Sequence, residues 1–415
     1  MSHPDTADLV VVGAGTIGGW ASFFARTSGA DRVVVLERGL VGQGASSLAA
    51  GMVRAQGGTN IAVHLGRWSV EFYRSQAESI GFDSGFRQLG YILLSTSARE
   101  ERVGRERVAM QRSLGLDVQW LEPDQTARVN PTLARDGHRG GSFLSTDGCI
   151  DPLRNIRAYS LAMQRAEVEV RERTPFLELR CVARGGRRRI TGVRTPDGVI
   201  GTERVLLTGG PGLHAVGKLA GVDIPVGAVR HQVAVTEPHP AFSVEDEPLP
   251  MVFDVGAGLY WRQEDGGLLF GMSNPDEPPG WTRSIDWGYL RRMRHRLTRL
   301  VPATSGLELQ RAWAATIDYT QDHLPIVGPA ITRAGEVLEG ATVLSAGGHG
   351  MMWGPALARI GADLALNGTT DVADVAGLGL ERFDEHGNSR LSADPVALPF
   401  PARATRGEPV EEVTA

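Results

Sequence analysis

Two apolar runs of four residues, Leu9 to Val12 and Val33 to Leu36, flank a stretch rich in alanine and phenylalanine. Unbroken runs of this length, bounded by glycine and charge, predict strands buried on both faces, and the gap between them fits one helix. Asp8 to Glu37 therefore reads as strand, turn, helix, strand, a βαβ unit. The order of buried strand, glycine turn and helix returns over Thr202 to Gly221 and again over Ala341 to Gly368. Between these pieces the pattern predicts a helix over Ala62 to Ile80, with Leu65, Trp68, Val70 and Phe72 among its apolar positions. A strand over Gly90 to Ser95 follows, then a charged helix from Arg99 to Leu114 and a short one near Pro123. Gly140 to Pro152 reads as strand then turn, Arg154 to Arg165 as a helix and Val168 to Arg171 as a short strand. Glu178 to Asp197 alternates and turns at glycines, which predicts a β-meander holding Arg187, Arg188 and Arg189 in a solvated turn. Ile224 to Phe270 reads mostly as strands, Ile285 to Val301 as an arginine-rich helix and Leu307 to Ile317 as a strand. From Asp384 periodicity is lost among prolines and charges, and residues 386–415 read as a poorly ordered tail.

The first turn has chemistry as well as shape. Gly13 permits a tight turn, Gly15 lets a pyrophosphate approach the backbone, and Gly18 lets helix and strand pack closely. The helix that follows presents free N–H groups and a positive dipole end to the phosphates. Glu37 ends the second strand, where a carboxylate accepts both hydroxyls of an adenosine ribose and repels a 2′-phosphate. Strand before, helix after and acid at the right distance together point to a dinucleotide and disfavour NADP. The loop after Glu37 is small and polar, with Gly42, Gly44, Ser46, Ser47, Ala49, Ala50 and Gly51, as expected where a large flat group passes close to the backbone.

Composition narrows the class. The chain has 415 residues, enough for two domains or one composite, with 42% hydrophobic and 22% charged residues, as in an ordinary globular protein. A net charge of −5 with dispersed arginines suggests neither nucleic acid nor an anionic membrane as partner. Two cysteines, Cys149 and Cys181, exclude a disulfide framework, a cysteine-rich zinc site and a cysteine-ligated iron–sulfur cluster. No metal site is expected. The polar start MSHPDTAD is too short for a signal peptide and no apolar run is long enough to span a bilayer, so a cytoplasmic enzyme is the default. The three strand–glycine–helix pieces alternate with β-rich inserts, and none is long enough to form a domain alone. The fold class is therefore α/β, a nucleotide-binding domain interleaved with a β-sheet domain.

Four motifs, GAGTIGG with Glu37, GASSLAAGM, VLLTGGPG, and the pair TQDHLPIVGP and SAGGHGMMWGPALA, stand in an order that covers nearly the whole chain. In these the sequence resembles the FAD-dependent oxidoreductases of the D-amino-acid oxidase type, the group holding glycine oxidase, sarcosine oxidase and dimethylglycine dehydrogenase. The resemblance implies FAD, a Rossmann-type domain made of residues 1–84, 147–222 and 321–385, and an antiparallel β-sheet substrate domain made of 85–146 and 223–320. It implies cofactor contacts from Gly13, Gly15, Thr16, Ile17, Gly18, Glu37 and Arg38, and from Ser46, Ser47, Ala50, Gly51 and Met52. Gly209 and Gly210 belong to the second piece, and Gly348, His349, Gly350, Met351 and Met352 match the segment under the flavin. Val182, on a strand, is expected near the adenine. The helix after Pro355 is expected to aim its N-terminus at the flavin pyrimidine.

The departures from the family pattern are specific. Some relatives attach FAD through a histidine where Leu48 stands, or through a cysteine where Ala315 stands, so FAD is expected to be non-covalent. A carboxylate-binding arginine of some relatives matches Ile317 and a lysine of others matches Met352, which argues against an ordinary amino-acid substrate. Arg54, Arg230 and Arg262 are the alternative carboxylate anchors, with Arg54 leading. His349, His231 and Tyr260 are the further candidates for catalysis, and Tyr260, Trp261, Arg262 and Trp353 for an aromatic wall with one cation. The expected reaction is hydride transfer from the C–N unit of an amine or N-substituted amino acid to flavin, with oxygen or another acceptor taking the electrons. Oxidation of an alcohol or 2-hydroxy acid, and a flavoprotein electron-transfer subunit, are the other readings.

Overall fold

The computed structural model describes residues 5–185, 187–243 and 248–396. Among these, two large sheets divide the strands. The first has nine strands, and its central ladder runs in the order Val337–Ser345, Val205–Leu207, Leu9–Val12, Val33–Leu36, Glu169–Arg171, every neighbouring pair parallel. Leu9, Val10, Val11, Val33, Val34 and Val35 are fully buried, as a parallel sheet covered on both faces requires. One face packs on helices Thr16–Thr27, Asn60–Ile80, Pro152–Arg165 and Gly350–Asn367, around Trp20, Leu65, Tyr159 and Trp353. The other face carries the β-meander of Glu178–Arg184, Arg187–Thr195 and Gly198–Gly201, whose Leu179, Ile190 and Val193 pack against Val10, Val34 and Leu207. Arg187 and Arg189 reach Glu339, so two of the three successive arginines of this hairpin have an ion-pair partner.

The second sheet has eight strands, ordered Leu309–Tyr319, Gly227–Thr236, Gly267–Met272, Leu259–Glu264, Met251–Asp254, Tyr91–Leu94, Gly141–Leu144, Gln119–Leu121. It is antiparallel except at one joint, where Met251–Asp254 runs parallel to Tyr91–Leu94. The exception has a topological cause: those two strands come from separate stretches of chain, so no hairpin dictates their direction. The helix Trp287–Leu300 covers one face through Leu290, Met293 and Leu297, against Trp261 and Phe270. A three-stranded sheet of Met52–Val53, Gly148–Cys149 and Arg87–Gln88 holds the loop leaving the first glycine turns beside the second sheet.

Two expectations are corrected. The last long helix begins at Gly350, so Pro355 lies inside it rather than before it. Proline there removes the N–H that would bond the Met351 carbonyl one turn back. The Tyr73 hydroxyl donates to that carbonyl at 3.0 Å, which lets the helix run through the proline. The tail is the second correction. Residues 386–396 are held down despite their lack of period: Arg382 binds Asp322 through Nε at 2.7 Å and Nη2 at 3.0 Å, the Ser389 hydroxyl donates to the same carboxylate, and Val396 is fully buried. Side-chain clips, not a repeating apolar stripe, order this segment. Residues 397–415 lie outside the described residues.

Tyr73→Phe keeps the ring but leaves a buried carbonyl without a donor. The expected cost is about 1–3 kcal/mol of stability, read as a lower urea midpoint with an unchanged slope.

Candidate active site

The three glycine turns follow the C-terminal ends of parallel strands and meet at one crevice, where open α/β sheets bind their ligands. Gly13 has a φ of 99°, which a side chain would strain, and a Cβ on Gly18 would lie 1.9 Å from the Gly13 carbonyl oxygen. Helix Thr16–Thr27 therefore starts directly on its strand. Its N-cap is Gly15, with no side-chain cap, and the Thr16 N–H donates to the Ser46 hydroxyl at 3.1 Å. Glu37 is fixed by two amides, accepting from Ala14 at 2.9 Å and from Gly39 at 2.8 Å, so its remaining lone pairs face outward in a set direction. Ile17 is 9% exposed on the core side of the helix, and Arg38 lies over the Trp281 ring at 5.0 Å. The second turn arrives beside the first: Thr208 donates to the Val12 carbonyl at 2.8 Å and places Gly209 and Gly210 there. The third arrives through Met351, whose sulfur accepts from the Thr16 hydroxyl at 3.6 Å.

The loop over this crevice is pinned from the roofing sheet. Trp313 Nε1 donates to the Leu48 carbonyl at 2.9 Å and Arg262 Nε to the Ala50 carbonyl at 3.0 Å. Ser47 donates to Gly44, and Gly51 accepts from Ile150. Met52 then enters the apolar cluster with Tyr91, Phe253 and Tyr260. At the last helix, a Cβ on Gly350 would meet nothing within 4 Å, and the N-cap His349 supplies no side-chain cap. A helix N-terminus with free donors and open space before it fits an anionic or electron-rich group. These features, a bare helix start under a glycine turn, a fixed carboxylate at the strand end and a second bare helix start, fit FAD.

Val182 is not brought to this crevice. It is 47% exposed on the strand Glu178–Arg184, two residues from the end that leads into the tip of the meander. The chain beside Glu37 is instead Arg171 to Thr174, since Glu37 N–H donates to Arg171 and Thr174 N–H to Glu37. Strand periodicity alone had no marker for where along the meander the sheet end falls.

On the other side of the crevice the structure gathers His349, Arg54, His231 and Tyr260. His349 is 6% exposed, lies 4.2 Å from the Trp353 ring centre, and is pushed down to about 3 by burial and by the Arg54 charge. His231 Nε2 and the Tyr260 hydroxyl are 2.7 Å apart, and burial pushes His231 down to about 4 and the Tyr260 phenol up. Both histidines are neutral at pH 7, and Tyr260 keeps its proton. Tyr260 and Trp261 are neighbours on one strand and face opposite ways, Tyr260 to the site and Trp261 into the far core. Trp353 is packed in the first core. The expected aromatic wall is thus reduced to Tyr260, joined by Tyr91 and Phe253.

The arginines separate clearly. Arg230 pairs with buried Glu277 at 2.7 Å, and Arg262 pairs with Glu264 at 2.5 Å besides holding the Ala50 loop. Arg54 is 5% exposed and donates to two backbone carbonyls, those of Gln56 and Val396, the latter at 2.9 Å from Nη2. Carbonyl dipoles orient a guanidinium without cancelling its charge. Asp147, whose charge Arg54 feels, accepts from the Ala55 N–H at 2.7 Å and from Gln56 at 3.2 Å. Burial raises Asp147 to about 7 against these bonds and Arg54. Ile317 and Met352 put no cation here, and Met352 packs among the first core's residues. Gln56, Tyr91, Asp147, Asp394 and Val396 were missed from sequence. Asp147, an acid directly before Gly148 in a turn, carried a signal that pattern reading offers.

Among the described residues no group of three or more His, Cys, Asp or Glu is placed to hold a metal, and no helix is long and apolar enough to cross a membrane. Surface grooves near Glu339 and near His64 lie away from the glycine turns and gather none of the expected residues.

Comparison with known proteins agrees with this geometry. A family model described as FAD dependent oxidoreductase matches residues 8–364. The chain is 26% identical to 4-methylaminobutanoate oxidase (formaldehyde-forming) of Paenarthrobacter nicotinovorans, over 93% of this chain and 47% of that protein. It is 28% identical to the mitochondrial dimethylglycine dehydrogenase of Rattus norvegicus, over 78% of this chain and 39% of that one. It thus spans less than half the length of both. Glycine oxidase of Geobacillus kaustophilus is 28% identical in sequence over 86% of this chain and 92% of its own. The crystal structure of that enzyme superposes with a TM-score of 0.77, covering 92% of this chain and all of the other. L-proline dehydrogenase from P. horikoshii, at 24% identity, shares the fold with a TM-score of 0.80 over 90% of this chain and 96% of its own. With its glycine turns, strand-end acid and roofing sheet in place, and with the family match running through nearly all of them, the chain belongs to the FAD-dependent oxidoreductases of the D-amino-acid oxidase type.

Proposed function

We propose that this enzyme oxidises the C–N bond of an N-substituted amine that carries a carboxylate, with Arg54 as the carboxylate anchor. The observation that carries the reading is the buried Arg54, held by carbonyls beside His349 and Tyr260, while Arg230 and Arg262 are neutralised by acids. The names of the relatives, acting on methylaminobutanoate, dimethylglycine and glycine, support an amino-acid-like substrate. FAD supplies the acceptor for the hydride leaving the carbon next to nitrogen.

The chain's own residues do the rest. Arg54 binds and orients the acid end. Tyr260, kept protonated and bonded to neutral His231, offers a fixed hydroxyl toward the amine end. Neutral histidines and a buried guanidinium favour the uncharged amine over an ammonium, which is the form with a lone pair to assist hydride loss. On the cofactor side, Glu37 would hold the ribose, the Gly13–Gly18 turn the pyrophosphate, and the Gly348–Met352 turn the ring system. The adenine side falls to Thr174–Phe176 in place of Val182. Strand membership in the two large sheets supports residues 1–84, 147–222 and 321–385 as the FAD-binding domain, and 85–146 and 223–320 as the substrate domain. We place the enzyme in the cytoplasm, with a small-molecule substrate, oxygen or another electron acceptor, and neither nucleic acid nor membrane as partner.

Three measurements test this. With Leu48 and Ala315 at the family's attachment positions, acid precipitation is expected to leave all FAD in the supernatant; flavin in the pellet means a covalent link. For Arg54→Met, kcat/KM on carboxylate-bearing amines is expected to fall about tenfold or more, a loss of about 1.4 kcal/mol or more, with FAD content unchanged. Matched amines without the carboxylate should lose far less; an equal loss on both sets removes Arg54 as the anchor. The third concerns pH. Below about 7 Asp147 is protonated and offsets none of the Arg54 charge; above it the carboxylate shares that charge. The groups facing Asp147 are the Ala55 N–H, Gln56, Tyr91 and Arg54. A simple carboxylate inhibitor should therefore bind more weakly as pH rises from 6 to 8, and Asp147→Asn should flatten that dependence.

A further inference from the structure

The strand Gly267–Met272 and the helix Trp287–Leu300 are joined by residues 273–286, which form neither helix nor strand. A connection this long without regular structure usually serves a function of its own. Its base is pinned to the roofing sheet. Arg230 pairs with the 2% exposed Glu277 at 2.7 Å, and the Gly280 N–H donates to the Ala228 carbonyl at 2.9 Å. The Thr282 N–H donates to the Thr316 hydroxyl at 3.2 Å, and that hydroxyl donates to the Thr282 carbonyl at 3.1 Å. Ala228 and Thr316 lie on neighbouring strands of that sheet, Gly227–Thr236 and Leu309–Tyr319, so the loop leaves the sheet at a fixed place.

From this base the loop crosses to the nucleotide-binding side, where it touches both walls of the crevice. Arg38, which directly follows Glu37, lies over the Trp281 ring at 5.0 Å. A Cβ on Gly212, at the end of the second glycine turn, would lie 3.9 Å from the edge of that ring and 4.0 Å from Arg38 Nη2. Trp281 thus stands against one wall and the other. Arg283 Nη2 adds a tether to the Gln43 carbonyl at 3.3 Å, farther along the loop after Glu37. Trp281 is 39% exposed, and Arg38 and Gln43 are exposed, whereas Val12 and Leu207 beneath the same turns are buried. The bridge therefore lies at the solvent end of the crevice and not on its floor. We propose that residues 273–286 form a clasp across the mouth of the FAD crevice, in which Trp281 and Arg283 gate the passage of FAD in and out. Because the contacts run from protein to protein, the clasp closes with or without the cofactor and slows both directions. The proposal rests on the reading of Glu37 and the glycine turns as the FAD crevice.

The test uses the full-length holoenzyme with Trp281→Ala, Trp281→Phe and Arg283→Gln, and the thermal midpoint establishes integrity. Release is read without turnover, as the rate at which bound FAD exchanges for excess 8-chloro-FAD, followed by absorption. Uptake is read by stopped flow, from the fluorescence of FAD mixed with apoprotein. Trp281→Ala is expected to raise the release rate about fivefold or more, the size of a lost exposed cation–π contact. Uptake should rise in proportion, so that the dissociation constant stays within about twofold of the wild type. Trp281→Phe keeps a ring over Arg38 and should fall between wild type and Trp281→Ala, and Arg283→Gln should speed both directions. Should Trp281→Ala fail to fold, the other two variants carry the same comparison. A release rate within about twofold of the wild type in every folded variant overturns the proposal. So does faster release with unchanged uptake, since Trp281 would then be a contact of the cofactor itself. The reading of the crevice fails on a different signal: Glu37→Ala leaving FAD affinity unchanged, whatever the clasp variants show.

Discussion

The structure depends on the approach of the first helix to the first strand. Gly18 lies so close to the Gly13 carbonyl that no side chain fits between them. This contact sets the height at which Thr16 begins the helix, and three separate parts of the chain are placed by Thr16. Ser46 accepts from its N–H, Met351 accepts from its hydroxyl, and Asn155 reaches the same hydroxyl at 3.3 Å. A bulkier residue at 18 would lift the helix start and, with it, the loop over the crevice and the last glycine turn. Close packing of this kind transmits small displacements because protein interiors have little free volume to absorb them.

Charge is distributed by a second constraint. Most buried ions here are closed pairs, such as Asp322 with Arg382 or Glu277 with Arg230. Such pairs add little net stability, since desolvation offsets attraction, but they specify where segments lie. Arg54 and Arg107, the latter on helix Ala98–Ser113, are the buried cations without a bonded carboxylate in this region. A protein retains such a charge where it is used, because leaving it unpaired is costly. The neutral state of His231 and His349 follows from the same burial, so the site presents fixed positive charge at one end and uncharged hydrogen-bonding groups at the other.

Local pattern determined a great deal. The apolar runs at Leu9 and Val33, the glycines between them and the acid at Glu37 specify a buried parallel strand pair and a fixed strand-end carboxylate through steric and hydrogen-bonding rules that act within about thirty residues. Helices at Asn60–Ile80, Ala98–Ser113 and Trp287–Leu300 were legible within two residues of their ends, because their apolar faces repeat and their caps are local. Arg54 and His349 stood out as candidates because they lie in loops beside the glycine motifs, and His231 and Tyr260 because they lie on strands expected to roof the site.

Tertiary structure decided the rest, and the reasons are physical. Pro355 sits inside a helix because Tyr73, 282 positions earlier in the chain, satisfies the carbonyl that proline frees. Tyr260 faces the site and Trp261 the far core because strand register, not composition, assigns faces. Val182 lies toward the hairpin tip, while Arg171 and Thr174 are the residues bonded to Glu37, because the strand carries the chain outward from that point. Which of three arginines lacks a bonded carboxylate depends on where Glu277 and Glu264 come to rest. The C-terminal segment is ordered by a bidentate ion pair between Arg382 and Asp322, a feature with no period in the sequence. Periodic burial can be read from one chain; pairings between distant polar groups exist only once the fold has brought them together.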